Sequence, residues 1–541
     1  MTIKRKIIYA GNANKYYWHY QNWVPVLKRL SDEFICFDYR VQHLLHGKEL
    51  MNKNFLKLIK KEKPDFIFFI LFRDEFDIET LLKIKEISPK TKIINFFGDD
   101  DIQFESFSRY YALVFDYCLI GQKQFAKDYN HEGVSNVLFT TGTDNKKIES
   151  SNLAKKYDVT FIGAPKDNRA ELIHHLLKNN INISLFGRGW ENHQEFKKIY
   201  KGAIDNKELL KITNESRINL GFTRNYRGEP HFKGRVFEVA ASNSFMVLEY
   251  FKTYSEIFKP NKEIVMFKDK DDLLKKVNYY LKNKKQREQI AKSAYKKINE
   301  KHNLESELKE LFKKIEKINS KNKIPTLNKK IIQLSKKHLN LSKNKLIEKL
   351  KNIDYVSFKK GKVKNYKYKS FLQAYSLEKS KKEISCCNCY VSNKSLGKYL
   401  FFQTDVAFEK NKKDFINLID INQLATTKEY FLENLEIFKK LFQNKKVDFL
   451  KQEPTFIVLP LLEITSLPKI NKIDYNNLKY YFNFKFLYKL YSLKHHKRLF
   501  STGYPYALLF HALKGNHFIY KGILGNLKNK EIQGKIQEIS N

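Results

Sequence analysis

The stretch Gly228–Tyr250, GEPHFKGRVFEVAASNSFMVLEY, decides how the rest of the chain is read. It opens as a polar loop with Gly and Pro that carries three cationic or titratable groups, His231, Lys233 and Arg235. Val236, Phe237, Val239 and Ala240 then recur at helical spacing, and Phe245–Tyr250 is an apolar run short enough for a buried parallel strand. Cations in a loop ahead of a helix, whose first amides favour anions, suit a diphosphate. Glu238 follows Arg235 by three residues, so the two share a helix face, and its carboxylate suits sugar hydroxyls. The same residues also read as a surface loop with an ordinary helix ion pair, which is individually weak.

Working outward, the sequence around this stretch alternates strand and helix signals. Asp158–Ile162 reads as a strand ending at Gly163, Asn168–Asn179 as a helix, and Asn182–Phe186 as a strand ending at Gly187, Arg188, Gly189 and Trp190. Arg217–Phe222 and Glu263–Phe267 read as further strands, and Asp271–Lys282 and Lys285–Asn299 as helices. Upstream the same grammar appears once already. Strands are expected at Lys6–Ala10, Glu33–Asp38, Asp65–Leu71 and Lys92–Phe97, with helices at Leu50–Lys61 and Phe76–Ile87, and Tyr110–Ile120 and Asn136–Thr140 continue the pattern. The expectation is an α/β chain with two doubly wound parallel sheets: residues 1–155 as one lobe, 156–315 as a second, and a ligand cleft between them. Residues 316–351 are Lys-rich and read as a helical linker interrupted at Pro325. Residues 352–541 mix short strands and helices with many aromatics and no internal repeat, an additional basic domain of α+β or mostly α type.

Composition narrows the classes. With 541 residues, 42% of them hydrophobic, the chain is long enough for two or three cores and is not disordered. The formal charge is +42, and the shorter part after Lys321 carries the greater share of it. An anionic membrane face or an acidic polymer is an expected partner. Nucleic acid is less so, because Lys far outnumbers Arg and base or phosphate forks favour Arg. The excess also reads as a compositional habit of a Lys- and Asn-rich chain. Five cysteines in no spaced framework suggest a reduced, cytoplasmic protein. The N-terminal apolar run is too short for a signal segment, and no stretch approaches the ~20 apolar residues of a spanning helix.

Several segments together carry a family resemblance: FIGAPKDNR (161–169), SLFGRGW (184–190), KGRVFEVAASNSFMVLE (233–249), KEIVMFKDKDDLLKKVNYYL (262–281) and REQIAKSAYKKINEKHN (287–303). In order and spacing they resemble the C-terminal lobe of the CgeB-like, spore-protein-type glycosyltransferases, which belong with the group-1 transferases of two Rossmann-like lobes, the GT-B architecture. FFGDDD (96–101) and NVLFTTGTD (136–144) sit where such proteins carry comparable segments, so the resemblance spans roughly residues 1–315. It implies a nucleotide-sugar donor held by the second lobe, with Arg235 and Lys233 toward the diphosphate, Glu238 on the ribose, and Gly187 and Arg188 in a turn near the nucleotide. It also implies no cofactor and no bound metal. One departure stands out. Group-1 retaining enzymes often carry a second glutamate eight positions before the one at 238, and Pro230 occupies that position, with Glu229 one further away.

Other residues stay open between chemistry and scaffold. Asp99, Asp100 and Asp101 after a strand read as metal ligands, as cleft lining or as turn residues. The loop Asn12–Trp23, NANKYYWHYQNW, follows the first strand, where open α/β sheets place ligands. Its aromatics suit an acceptor sugar and His19 a general base, or else Trp18 and Trp23 are core. His231 reads as catalytic, as a donor contact or as a structural loop histidine. Cys386, Cys387 and Cys389 lack a second ligand pair at zinc spacing; His495, His496, His511 and His517 are the late histidines that would have to partner them. The tract Tyr480–Phe500 reads as a polymer-, membrane- or nucleic-acid-binding surface or as aromatic core. The leading expectation is a metal-independent, cytoplasmic transferase, acting at the inner face of the membrane, that moves sugar to a glycan or lipid-linked acceptor in surface polysaccharide or glycoconjugate synthesis. The other is a non-catalytic nucleotide-sugar or glycan-binding scaffold whose basic C-terminal module does the binding.

Overall fold

A computed structural model describes residues 5–318 apart from 16, 73, 149–152 and 226–227, and then 327, 329–360, 363–393, 397–401, 421–443 and 454–464. The late histidines, Pro325 and the tract Tyr480–Phe500 lie outside the described residues. The apolar runs of the first 140 residues become six strands: β1 (Lys6–Gly11), β2 (Glu33–Asp38), β3 (Phe66–Phe69), β4 (Lys92–Phe97), β5 (Tyr117–Ile120) and β6 (Val137–Phe139). They pair in the order β2-β1-β3-β4-β5-β6, every pair parallel. Phe66–Phe69, FIFF, is buried at all four positions, as a strand covered by helices on both faces must be.

The second sheet repeats the design with β7 (Tyr157–Ile162), β8 (Ile183–Phe186), β9 (Ser216–Gly221), β10 (Met246–Glu249) and β11 (Val265–Phe267). The order is β11-β10-β9-β7-β8, again all parallel. In this sheet β7 and β9 flank the point where the connections change direction, the place where open sheets bind ligands beyond their carboxyl ends. The loop after β9 is the one that carries His231, Lys233 and Arg235.

Two boundaries differ from the sequence expectation. The helix Leu304–Ile315 buries Leu304, Leu308, Leu311, Phe312 and Ile315, a stripe at helical spacing, but it does so in the core of the first lobe, against Ile7, Tyr9, Phe66 and Trp23. Phe312 stacks on Phe66 with ring centroids 4.5 Å apart. Amphipathic spacing identifies a helix without saying which core it fills, so residues 304–315 belong to the first lobe although they follow the second. The expected linker is the other correction. Within it, Ile331–Leu334 is a strand, β12, paired with β13 (Tyr355–Phe358) in a third sheet.

That third sheet continues with β14 (Val363–Asn365), β15 (Ile384–Asn393), β16 (Gly397–Phe401), β17 (Leu424–Thr427) and β18 (Thr455–Ile464). It mixes parallel and antiparallel pairs, an α+β arrangement. The sheet and its helices join the first lobe's core, with Leu334 and Val356 of the strands and Leu372 and Phe438 of the helices in one cluster with Tyr110, Tyr111 and Phe115. Cys386 and Cys387 are buried in β15, so they are sheet interior.

Candidate functional site

Between the lobes lies a cavity of about 280 Å³. From the first lobe its walls include Trp18 and His19, Gly98 and Asp99 after β4, and Gln122 after β5; from the second come His231, Lys233, Arg235 and Glu238. The deciding stretch therefore supplies one whole wall. The helix it forms, Arg235–Ala241, is only seven residues long. Side chains, rather than its amides, supply most of the positive charge.

The loop before that helix is fixed from both sides. Phe232 stacks on Tyr254 at 4.5 Å, and the Tyr254 hydroxyl accepts from the Lys233 amide at 2.6 Å. The Gln122 side chain, from the first lobe, accepts from the Phe232 amide at 2.8 Å and donates to the Phe232 carbonyl at 3.1 Å. Trp18 Nε1 donates to Glu238 Oε1 at 2.6 Å, joining residues 220 positions apart. Gly234 permits that approach, since a Cβ there would stand 2.9 Å from the Trp18 ring.

Two cations face the cavity with unspent capacity. Lys233 has its pKa pulled down to about 8, first by burial and then by repulsion from Arg169 and Lys166, against the attraction of Asp101 and Asp99. Arg235 Nε pairs with Glu238 Oε2 at 3.2 Å, while its Nη1 is buried without a hydrogen-bond partner. Burial pulls the Arg235 pKa down, and Glu238 opposes the shift. An orphaned guanidinium N–H and a partly desolvated ammonium on one cavity wall have the chemistry to accept anionic oxygens.

The acidic run divides its labour. Asp99 precedes the short helix Asp100–Gln103 without capping it through its side chain, and burial raises its pKa. Asp100 is buried, accepts from the Tyr129 hydroxyl at 3.1 Å, and burial pushes its pKa up to about 8. Asp101 accepts from His231 Nδ1 at 2.7 Å and from Asn225 at 2.8 Å. Burial raises its pKa, but the His231 bond and the nearby charges outweigh that, so the net shift is downward. One ligand atom each of Asp99, Asp101 and His231 lie within 4.8 Å of one another. The His231 nitrogen nearest Asp101 is already engaged there, however, and Lys233 supplies positive charge to the same two carboxylates.

The other sequence candidates fare unevenly. His19 lines the cavity, but its ring packs among Tyr17, Trp18, Phe72 and Phe96. Burial, with Arg40 adding repulsion, pulls its pKa down to about 3, which makes it a feeble base. Trp23 is fully buried core, whereas Trp18 reaches across the cleft. Gly187 and Arg188 sit beyond β8, outside the cavity walls. Gly187 has φ +116° and a Cβ there would meet the Gly163 carbonyl at 2.7 Å, so the glycine allows two strand ends to approach, while Arg188 is exposed. Glu229 is exposed and takes no place in the cavity wall. Asp101, Gln122 and Trp18 as cross-cleft partners escaped the sequence reading, since no spacing relates residues 110 to 220 positions apart.

Two parallel α/β lobes facing each other across such a cleft are the GT-B arrangement. A family model described as glycosyl transferase-like matches residues 169–313, most of the second lobe together with the returning helix. Among solved structures, the Anabaena Alr3699/HepE protein in complex with UDP is 11% identical, with 57% of this chain and 100% of that chain covered and a TM-score of 0.45. A glycosyltransferase from Rickettsia africae is 11% identical over 58% of this chain and 99% of that chain, with a TM-score of 0.42. Sucrose-phosphate synthase from Thermosynechococcus elongatus is 10% identical over 57% and 99%, with a TM-score of 0.43. No curated protein matches the chain.

Proposed function

We propose that the protein is a glycosyltransferase of the CgeB-like kind, moving a sugar from a nucleotide-diphosphate donor to a glycan or lipid-linked acceptor in the interlobe cleft. The observation that carries this is the presence of Lys233 and of Arg235, with its orphaned Nη1, on one wall of the cavity. In this reading both cations take the donor diphosphate and stabilise the charge that develops on it as the glycosidic bond breaks, a preorganised electrostatic effect that needs no bound metal. Glu238 holds the ribose through carboxylate lone pairs that Trp18 and Arg235 leave open. Ligand pockets usually measure about 300–1,000 Å³, so a cavity of about 280 Å³ suits the reacting end of the donor and the lobes part to admit the rest. The reading extends to a cytoplasmic protein whose basic surface rests on an anionic membrane face, where lipid-linked acceptors reside.

A thermal-shift series against UDP, GDP, ADP and dTDP tests the donor site. A nucleotide present at about 100 times its dissociation constant adds ~2.7 kcal/mol to the folded state. One nucleotide is expected to give a selective shift. Losing a charged hydrogen bond of about 1.5–3 kcal/mol weakens binding roughly 10- to 100-fold, so Arg235→Ala and Lys233→Ala each shrink the shift. An unchanged shift in Arg235→Ala removes the donor assignment.

A further inference from the structure

We infer that Asp101 and His231 form a base assembled from both lobes, so that the enzyme inverts the anomeric centre of its donor sugar. The inference rests on the transferase reading above and adds to it the acceptor-activating group and the stereochemical outcome. Neither partner belongs to the cation pair that faces the donor.

The geometry begins with tautomer. Asp101, on the first lobe, has a side chain only 4% exposed, and its Oδ2 lies 2.7 Å from His231 Nδ1 on the second lobe. A carboxylate accepts and does not donate, so Nδ1 carries the hydrogen and Nε2 the lone pair. Gln122 Nε2 stands 3.5 Å from His231 Nε2, but its two hydrogens are directed to the carbonyls of Gly98 at 3.0 Å and Phe232 at 3.1 Å. The Nε2 lone pair is therefore left to the cavity, which His231 lines. Asn225 donates to the same Asp101 oxygen at 2.8 Å and holds the carboxylate in place. A buried carboxylate that orients an imidazole and stabilises the imidazolium is the logic of nucleophile-activating triads, here with an acceptor hydroxyl in place of serine.

The step balances without a further reagent. His231 Nε2 takes the proton of the acceptor hydroxyl as that oxygen bonds to the donor's anomeric carbon from the face opposite the diphosphate. The bond from that carbon to the diphosphate oxygen breaks, and its electron pair leaves with the nucleoside diphosphate beside Lys233 and Arg235. One displacement from the opposite face inverts configuration. Neither Glu229 nor Pro230 lines the cavity, so the second lobe contributes Glu238 as its one carboxylate among the cavity-lining residues. The charged groups around the dyad are Asp101 and Asp99 from the first lobe and Lys233 from the His231 loop, with Lys166 near Asp99 and Glu229 accepting at 3.1 Å from the same Asn225 amide that holds Asp101. Asp101 is a positioning residue in this scheme, and His231 is the group that touches the acceptor.

The experiment uses the full chain, a panel of UDP-, GDP-, ADP- and dTDP-sugars, and aryl glycosides as acceptors with water always present as the default acceptor. Nucleoside diphosphate release gives the rate, and the product's anomeric proton in early NMR spectra gives the configuration. The expected product has the opposite configuration to the donor. Asp101→Asn is expected to lower kcat 10²- to 10⁴-fold, to leave the donor KM within about threefold, and to move the acid limb of the kcat–pH profile. His231→Ala is expected to lose turnover and recover part of it when free imidazole is added, which a folding defect would not do. Retained configuration, or an Asp101→Asn enzyme with wild-type kcat and pH profile, overturns the dyad while nucleotide binding keeps the transferase reading. Nucleotide binding without turnover of any donor also overturns the dyad alone. No nucleotide binding by the wild-type chain overturns both.

Discussion

Lys233 is where the proposed donor binding is most open to an electrostatic test. Its pKa of about 8, set by burial and by the neighbouring Arg169 and Lys166, leaves it about half charged at pH 8. A diphosphate placed against it favours the ammonium, so binding should take up protons there. Calorimetric titration of UDP, or of whichever nucleotide gives the thermal shift, at pH 8 in buffers of different ionisation enthalpy is expected to show uptake of roughly half a proton, with affinity falling from pH 7 to 9. Lys233→Met should abolish the uptake, and no buffer dependence in the wild type would place Lys233 away from the phosphates. The sign for folding is separate. A lysine whose folded pKa lies below its usual 10.5 penalises the folded state below pH ~8, and that penalty fades as pH rises from 8 toward 10.5. At this scale one wall of the cleft was legible, because His231, Lys233, Arg235 and Glu238 lie within eight residues of sequence. The opposite wall was not. Asp101 and Trp18 acquire meaning only when folding brings them 130 and 220 residues along the chain to their partners.

Among the elements, the strands were the most readable, since parallel strands buried on both faces must be short unbroken apolar runs such as Phe66–Phe69 and Met246–Glu249. The amphipathic helix Leu304–Ile315 was readable as a helix but not as a clasp. Its sequence, LESELKELFKKI, shows a buried stripe without an address. In the fold it fastens the end of the second lobe to the first, with Asn303 capping its start through the Ser306 amide at 3.1 Å, Glu305 pairing with Arg29 at 2.5 Å and Glu307 accepting from Thr140 at 2.9 Å. Phe312 is fully buried at the centre of that contact. Phe312→Ala is expected to destabilise the chain by about 3–5 kcal/mol, read as a lowered urea midpoint. Because the clasp also fixes how the lobes meet, the same variant should weaken nucleotide binding although Phe312 stands outside the cavity wall. An unfolding free energy within about 1 kcal/mol of wild type would show that Phe312 adds little to the first lobe's core.

The whole molecule couples this cleft to a third sheet and to a large excess of positive charge. Tyr375, beside β15, donates to Glu132 of the first lobe, and Glu132 in turn pairs with Arg109 at 2.6 Å. Both acceptor and cation are buried, so the module is joined to the lobe by a buried polar contact as well as by apolar contact. None of the described helices is long and apolar enough to cross a membrane. A formal charge of +42 makes electrostatic attraction to anionic headgroups a force that a lipid surface would exert on this chain. Such attraction is screened within about 10 Å at 0.1 M salt and about 3 Å at 1 M, which separates it from apolar insertion. The full chain is expected to co-sediment with vesicles containing phosphatidylglycerol at 50 mM NaCl, to release above about 500 mM, and to ignore vesicles of phosphatidylcholine alone. Release by salt with the nucleotide thermal shift unchanged would show that the charge serves location and not the donor site. Equal binding to neutral vesicles, or no binding to anionic ones, would leave the basic surface as a feature of composition and move the acceptor from lipid-linked sugars to soluble glycans.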